Sequence, residues 1–419
     1  VFPDDYSRGH PVLLYAMAGA AFRAFGPEPA TGHLVVLPFT VLALFFTYLL
    51  GAALFDRRTG FAALALMAAT PLFMSMGNML LPEMPLTTLA VAGFAFYARR
   101  QLGAAIVCGC LAVWIKETGV FAAAAITGAL LFEGYRAKDY AWKRIALSTL
   151  PVWALVGFFV WQKIHAGYFV FPHHANLFAD RPLELSNLLT VWPSLVLWHG
   201  RWIVLLAAAA AFAFARGTKP KSPARSLRME STAVAIVLLV LANFVFFSKM
   251  FWLERYALPA HPGLLVLAAG ALFASMPSSV SPSSLLRVAP LALSFVFGVL
   301  GLWAPTEPDA EEQTFVYADA IRAHQDAFEA LGRETDVQRV LTPWPMQIEL
   351  RYPYLGYVDT SLETIHPRSR GDATFDAILF GSRSWRAPEL RTLAAEQGFT
   401  RSQTFRVGDA PPLELYLKP

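Results

Sequence analysis

Between Leu102 and Phe132 the chain runs for 31 residues with one charged interruption, the pair Lys116-Glu117. At ~1.5 Å per residue a single helix of that length would reach ~46 Å, well beyond the ~30 Å hydrocarbon core of a bilayer. The flanking residues, Arg99-Arg100 before it and Arg136, Lys138, Lys143 and Arg144 after it, are basic. Basic connections gather on the cytoplasmic side of a membrane, so an even number of crossings should separate these two groups. Two short helices turning at Lys116-Glu117-Thr118-Gly119 satisfy both constraints. That reading places a base and an acid at membrane depth, where an ionisable group is costly and by default marks a functional site.

Apolar runs recur at His33–Phe55, Phe61–Met76, Pro85–Ala98, Ile145–Ile164, Ile203–Phe214, Val234–Phe247, Leu258–Phe273 and Leu291–Leu302. Only 15% of the residues are charged, against about 25% in soluble domains, and mean hydropathy is +0.46. The expected fold is an all-α polytopic membrane protein, a helical bundle of about ten spans. Pro11–Phe25 is apolar but breaks at Gly26-Pro27-Glu28-Pro29. At ~22 Å it falls short of a span and is expected to lie at the interface. Were it to cross, Asp4 and Asp5 would lie in the cytoplasm. The chain opens at Val1 without an initiator Met or a leader and reads as cut from something longer.

The basic residues sort by side. Arg57, Arg58, Arg99, Arg100, Arg136, Lys138, Lys143, Arg144, the five in the 216–228 loop and Arg287 fall on one side, which the positive-inside rule makes cytoplasmic. The net charge of +4 is accounted for by this placement, and a nucleic-acid partner has no support. The segment Asn78–Pro85 (NMLLPEMP), the Lys116 turn, the long loop His165–Trp198 and the C-terminal tail are then extracytoplasmic. A bacterial inner membrane is the expected location. Cys108 and Cys110 are two apart in an apolar run, where a helix points them in different directions, so both read as small buried side chains.

From about residue 305 the character changes. Glu307–Glu334 reads as a charged helix, Gln338–Thr342 and Asp376–Gly381 as short buried strands, and Ala387–Gln397 as a helix stopped by Gly398. Phe399–Val407 and Leu413–Lys418 alternate like a hairpin around Gly408–Pro412. The division is therefore 1–304, membrane domain, and 305–419, a small extracytoplasmic α/β domain with a lid or acceptor-docking role.

Four groups of polar residues should meet on the outer face. They are Asp4, Asp5 and His10; Glu83 between Pro82 and Pro85; Lys116 and Glu117; and Lys249, Glu254, Arg255 and Tyr256. His173, His174 and Arg181 lie in the long loop. A carboxylate can take the proton of an acceptor hydroxyl, and Lys and Arg can hold a phosphate while charge builds on it. Transfer from a lipid-phosphate donor suits such a mixture, with Asp4, Asp5 and Glu83 as candidate catalytic carboxylates. His10, Lys116, Glu117, Arg255 and Tyr256 are the candidate contacts to donor phosphate and substrate. No cofactor is required by the pattern; a divalent metal ion would be compatible with it. Each residue also has a plainer reading. Glu83 could be a first-turn acid favouring a helix N-terminus, Lys116 and Glu117 could pair only with each other, and Arg255 could snorkel. His173-His174 reads best as solvated loop.

Four stretches carry a resemblance to a known family. GHPVLLYAMAGAAFRAFG (9–26) resembles the "HPPLYY … FG" segment of the GT-C glycosyltransferases, which include protein O-mannosyltransferases and aminoarabinose transferases. Asp56–Tyr97 is similar to the family's run ending in an acidic residue and then a helix, WIKETG (114–119) to its lysine turn, and ERYALPAHP (254–262) to its "RYllPllP" segment. The four follow the family's order. The resemblance implies an inverting transferase that uses a polyprenyl-phosphate sugar at the outer face, with a lipid, glycan or protein as acceptor and membrane lipids around it. It also implies an acidic motif after a first span, upstream of Val1; Asp4 and Asp5 would stand in for it. At position 83 Glu replaces the family's usual Asp, and Glu117 stands where Gly is commoner. A transporter or flippase of lipid-linked saccharides is the alternative, although the chain shows no internal repeat. A catalytically silent scaffold is a third reading.

Overall fold

The structure is a computed structural model that describes residues 10–172, 174–175, 189, 223–250, 253–273, 296, 316–334, 336–371, 373–384 and 386–418. The chain divides into two compact units, one of residues 1–20 and 34–304, the other of 21–33 with 305–419.

The first unit is helical: α1 (Leu13–Phe25) and α2 (Pro29–Leu54), apart from their residues 21–25 and 29–33, then α3 (Arg57–Ala68), α4 (Pro71–Met76), α5 (Glu83–Ala98), α6 (Leu102–Ile115), α7 (Val120–Ala137), α8 (Trp142–Ser148), α9 (Leu150–Ala166), α10 (Pro223–Lys249) and α11 (His261–Phe273). Among the described residues, four helical stretches are long and apolar enough to cross a membrane: Pro29–Leu54, Glu117–Ala137, Trp142–Ala166 and Leu227–Lys249. The expected spans Ile203–Phe214 and, apart from Val296, Leu291–Leu302 lie outside the described residues. Exposed side chains on α2 (Leu34, Leu37, Val41, Phe45) and α9 (Trp153, Val156, Val160, Ile164) recur every three or four residues. Such apolar stripes are not tolerable in water and suit contact with acyl chains.

Two expected helices are divided. Phe61–Met76 splits into α3 and α4 at Thr70-Pro71, because proline lacks the N–H a continuous helix needs. Asp56 caps α3, its carboxylate accepting from Thr59 N at 2.8 Å. The expected Ile145–Ile164 span starts earlier, at Trp142, and is interrupted at Thr149, just before Leu150-Pro151. The two-helix reading of Leu102–Phe132 matches α6 and α7, joined by a three-ten turn at Glu117–Gly119. α1 has 13 residues, ~20 Å, too short for a span.

Small residues set the closest helix approach. A Cβ on Gly51 of α2 would lie 2.8 Å from Gly60 Cα of α3, so these backbones touch. Polar side chains tie neighbours across the bundle. Thr88 Oγ1 donates to Phe39 O at 2.7 Å, and the Thr127 and Ser148 hydroxyls share a 2.9 Å bond. Glu133 of α7 gathers three partners at the ends of other helices: Tyr97 Oη at 3.0 Å, Arg100 Nη1 at 3.0 Å and Ser231 Oγ of α10 at 2.8 Å.

The second unit carries α12 (Val316–Gly332), β1 (Arg339–Leu341), α13 (Met346–Arg351), β2 (Glu363–Ile365), β3 (Ala377–Gly381), α14 (Ala387–Glu396), β4 (Arg401–Phe405) and β5 (Leu413–Leu417). The sheet order is β2-β1-β3-β5-β4, with β2, β1 and β3 parallel and β3, β5 and β4 antiparallel. β1, β3 and the β4–β5 hairpin fall where the alternation of the sequence puts them. β2 was not anticipated, since three residues on an edge leave almost no pattern. Ala320, Ala323, Ala327, Phe328 and Leu331 form the buried stripe of α12. Arg391 donates two hydrogen bonds to Glu414 of β5, which Tyr416 Oη also reaches at 3.0 Å. The Arg391 bonds hold the Glu414 carboxyl below its ordinary value.

Candidate active site

Glu83 opens α5. Pro82 occupies the N-cap position and supplies no side-chain cap, so the carboxylate is free to turn inward while still favouring the positive helix end. Lys116 ends α6 in extended backbone (φ −155°, ψ 143°) and Gly119 closes the turn that follows. A Cβ at Gly119 would lie 2.4 Å from the Ala112 carbonyl carbon, so only glycine lets the turn fold back onto α6. Arg255 and Tyr256 sit on the three-ten segment Glu254–Ala260 between α10 and α11, a segment containing Pro259.

These three places converge. Lys116 Nζ donates to Glu83 Oε1 at 2.8 Å, and Arg255 Nε lies 3.6 Å from the same oxygen, an ion pair without hydrogen-bond geometry. Glu83 is 2% exposed and Lys116 7%. Lys116 Nζ also stands 4.1 Å from the Tyr256 ring centroid, a cation–π distance, and the Arg255 guanidinium 5.6 Å. Phe247 stacks on Tyr256 with centroids 4.8 Å apart and fixes the plane of the ring. Glu83 Oε2 is buried and accepts no hydrogen bond among the described residues. Here two cations and one carboxylate share a buried spot, an arrangement able to take an added anion.

Glu117 does not pair with its neighbour. Its carboxylate meets His10 Nδ1 at 3.1 and 3.2 Å, with both side chains partly exposed. The His10 ring lies 5.0 Å from that of His174, which in turn packs edge-on against Phe171. His174 was expected to be a solvated loop residue; one of two adjacent histidines in a long loop gives no sign that it will meet a residue 164 positions earlier. Phe247 was also missed, because in an aromatic-rich helix nothing marks it out. Asp4, Asp5, His173 and Arg181 lie outside the described residues. Among the described residues no group of three or more His, Cys, Asp or Glu is placed to hold a metal ion.

No protein-family model and no curated protein matches the chain by sequence. Solved structures do match by shape. The crystal structure of ArnT from Cupriavidus metallidurans bound to undecaprenyl phosphate superposes with a TM-score of 0.59 at 14% identity, covering 97% of this chain and 88% of that one.

The chain has the fold of ArnT.

The apo form of the same ArnT gives 0.58 at 14% identity over 97% and 87% of the two chains. The oligosaccharyltransferase of Archaeoglobus fulgidus in its apo form gives 0.50 at 13% identity over 96% and 66%. Within this fold, the Glu83–Lys116–Arg255 cluster is built from three of the four stretches that carried the sequence resemblance, its residues lying 33 and 139 positions apart.

Proposed function

We propose that this chain is an integral membrane glycosyltransferase that moves a sugar from a polyprenyl-phosphate donor to a lipid, glycan or protein acceptor on the extracytoplasmic face. The single observation carrying this is the buried junction of Lys116 and Arg255 on one Glu83 oxygen. A donor phosphodiester brings negative charge, and more develops on the phosphate as its bond to the sugar breaks. Lys116 and Arg255 meet that charge in a low-dielectric setting, where preorganised cations are most effective. Glu83 acts as the counter-ion that holds both cations in place before the donor arrives, since Oε1 is already committed to them. Tyr256, braced by Phe247, keeps the Lys116 ammonium from swinging away. The undecaprenyl phosphate held by ArnT is consistent with a donor of the same class here. The apolar stripes of the helices offer a path for its tail.

The extracytoplasmic placement follows from the distribution of basic residues. The test is to reconstitute the protein in liposomes with radiolabelled polyprenyl-phosphate sugars and a mixture of envelope acceptors. Release of free polyprenyl phosphate together with labelled acceptor supports transfer. Label that crosses the bilayer still attached to its lipid would support transport instead.

A further inference from the structure

Resting on the transferase reading above, we infer that His10 is the general base of the reaction and that Glu117 is the residue that orients it. The observation is the pairing of the Glu117 carboxylate with one ring nitrogen of His10, Nδ1, at 3.1 Å. A carboxylate on Nδ1 fixes the tautomer in which Nδ1 carries the proton and Nε2 is a bare acceptor. Nε2 makes no hydrogen bond among the described residues, and the His10 side chain is 25% exposed, so a hydroxyl can reach it. The same carboxylate then stabilises the imidazolium that forms, the division of labour found wherever a base is aligned by a third group.

Placement supports the assignment. Glu117 directly follows Lys116, so their Cα atoms are ~3.8 Å apart. The turn that presents the phosphate-binding lysine to Glu83 therefore also presents the carboxylate that aligns His10. The two charged pairs are separate, with Lys116 on Glu83 and Glu117 on His10. Glu83 is poorly suited to be the base, because the oxygen it presents is shared between Lys116 and Arg255 and the side chain is 2% exposed. Among the described residues, the groups facing His10 are Glu117 and the ring of His174, with Lys116 next to Glu117 in the chain.

In the reaction, a lone pair of the acceptor hydroxyl oxygen forms the new bond to the anomeric carbon. The bond from that carbon to the phosphate oxygen breaks, and its electron pair leaves on the phosphate, against Lys116 and Arg255. The hydroxyl proton passes to His10 Nε2 and is later lost to water.

The experiment uses the full chain in liposomes with a polyprenyl-phosphate sugar shown to be turned over by the wild type. If the wild type consumes no donor at all, the transferase reading fails before this one is reached. Given turnover, kcat should rise with pH and level off once the base is in its proton-accepting form. His10→Gln should lower kcat by about 10²-fold or more and remove that limb, with KM for the donor changed by less than about threefold. His10→Ala should regain activity on addition of free imidazole, which a purely packing role would not allow. Glu117→Gln should lower kcat with the limb displaced. Thermal melting of each variant shows whether it is folded. A folded His10→Gln that keeps wild-type kcat and raises only the donor KM would overturn the assignment and make His10 a phosphate contact. Retention of the pH limb in that variant, or no imidazole rescue of His10→Ala, would equally overturn it.

Discussion

The Lys116 ammonium donates to the Glu83 carboxylate across 33 positions of sequence, each arriving at the contact from the end of a different helix. Neither group is solvated enough to be indifferent to the other's loss. Breaking a buried ion pair from one side commonly costs about 3–5 kcal/mol, since the remaining charge is stranded.

Glu83→Gln keeps the shape and one acceptor for Lys116 but removes the counter-ion. Sugar transfer should fall to background while the protein still purifies as a folded species. Full activity in a folded Glu83→Gln preparation would take Glu83 out of the site.

Lys116→Ala should act mainly on the donor. A charge-assisted hydrogen bond is worth about 1.5–3 kcal/mol, so the dissociation constant for polyprenyl phosphate should rise roughly 10- to 150-fold. Titration of the purified variant with the lipid phosphate measures this, and an unchanged affinity would mean that Lys116 never touches phosphate.

Gly119→Ala should damage the turn without touching any charge. The added methyl would meet the Ala112 backbone at 2.4 Å, and backbone cannot step aside as a flexible side chain can. A loss of about 1–3 kcal/mol is expected for such overpacking, read as a lower melting temperature together with weaker donor binding. A variant as stable and active as wild type would show that the turn tolerates displacement.

The soluble unit has its own acid sensitivity. Hydrogen bonds from Arg391 keep the Glu414 carboxyl below the ordinary value of about 4.3. A depressed folded value means the stabilisation is fully present above the unfolded value and disappears as pH falls through the folded one. Amide exchange in β5 should therefore accelerate below about pH 4, and Glu414→Gln should flatten that dependence. Because Arg391 is exposed and screened by solvent, the effect should be small. Identical acid profiles for the two proteins would remove the pair from the account.

Much of this was legible in the residues. The helical turn at Lys116 followed from the length of the apolar run and the basic residues on both its flanks, and the meeting of Glu83, Lys116, Arg255 and Tyr256 from placing costly charges at helix ends on one side of the bundle. What the residues concealed was pairing. Lys116 and Glu117 are neighbours of opposite sign, and a linear reading cannot tell that extended backbone at Lys116 sends them to different partners. The divisions before Pro71 and Pro151 were visible as prolines, yet hydropathy averages across them and hides the break. β2 escaped because its three residues owe their conformation to pairing with β1, a contact that lies outside the strand itself.

Glu133 stands at the far ends of the helices that bear the ion cluster. α5 runs from Glu83 to Tyr97, α7 from just beyond Lys116 to Glu133, and α10 from Ser231 toward Arg255. The axial rise from Glu83 to Tyr97 is about 21 Å. Three rods tied together at one end keep a common axial register, so this knot limits how far each helix can slide past the others. Engineered lesions beside Glu133 should thus be felt at the Lys116–Glu83 contact, about 21 Å away along α5.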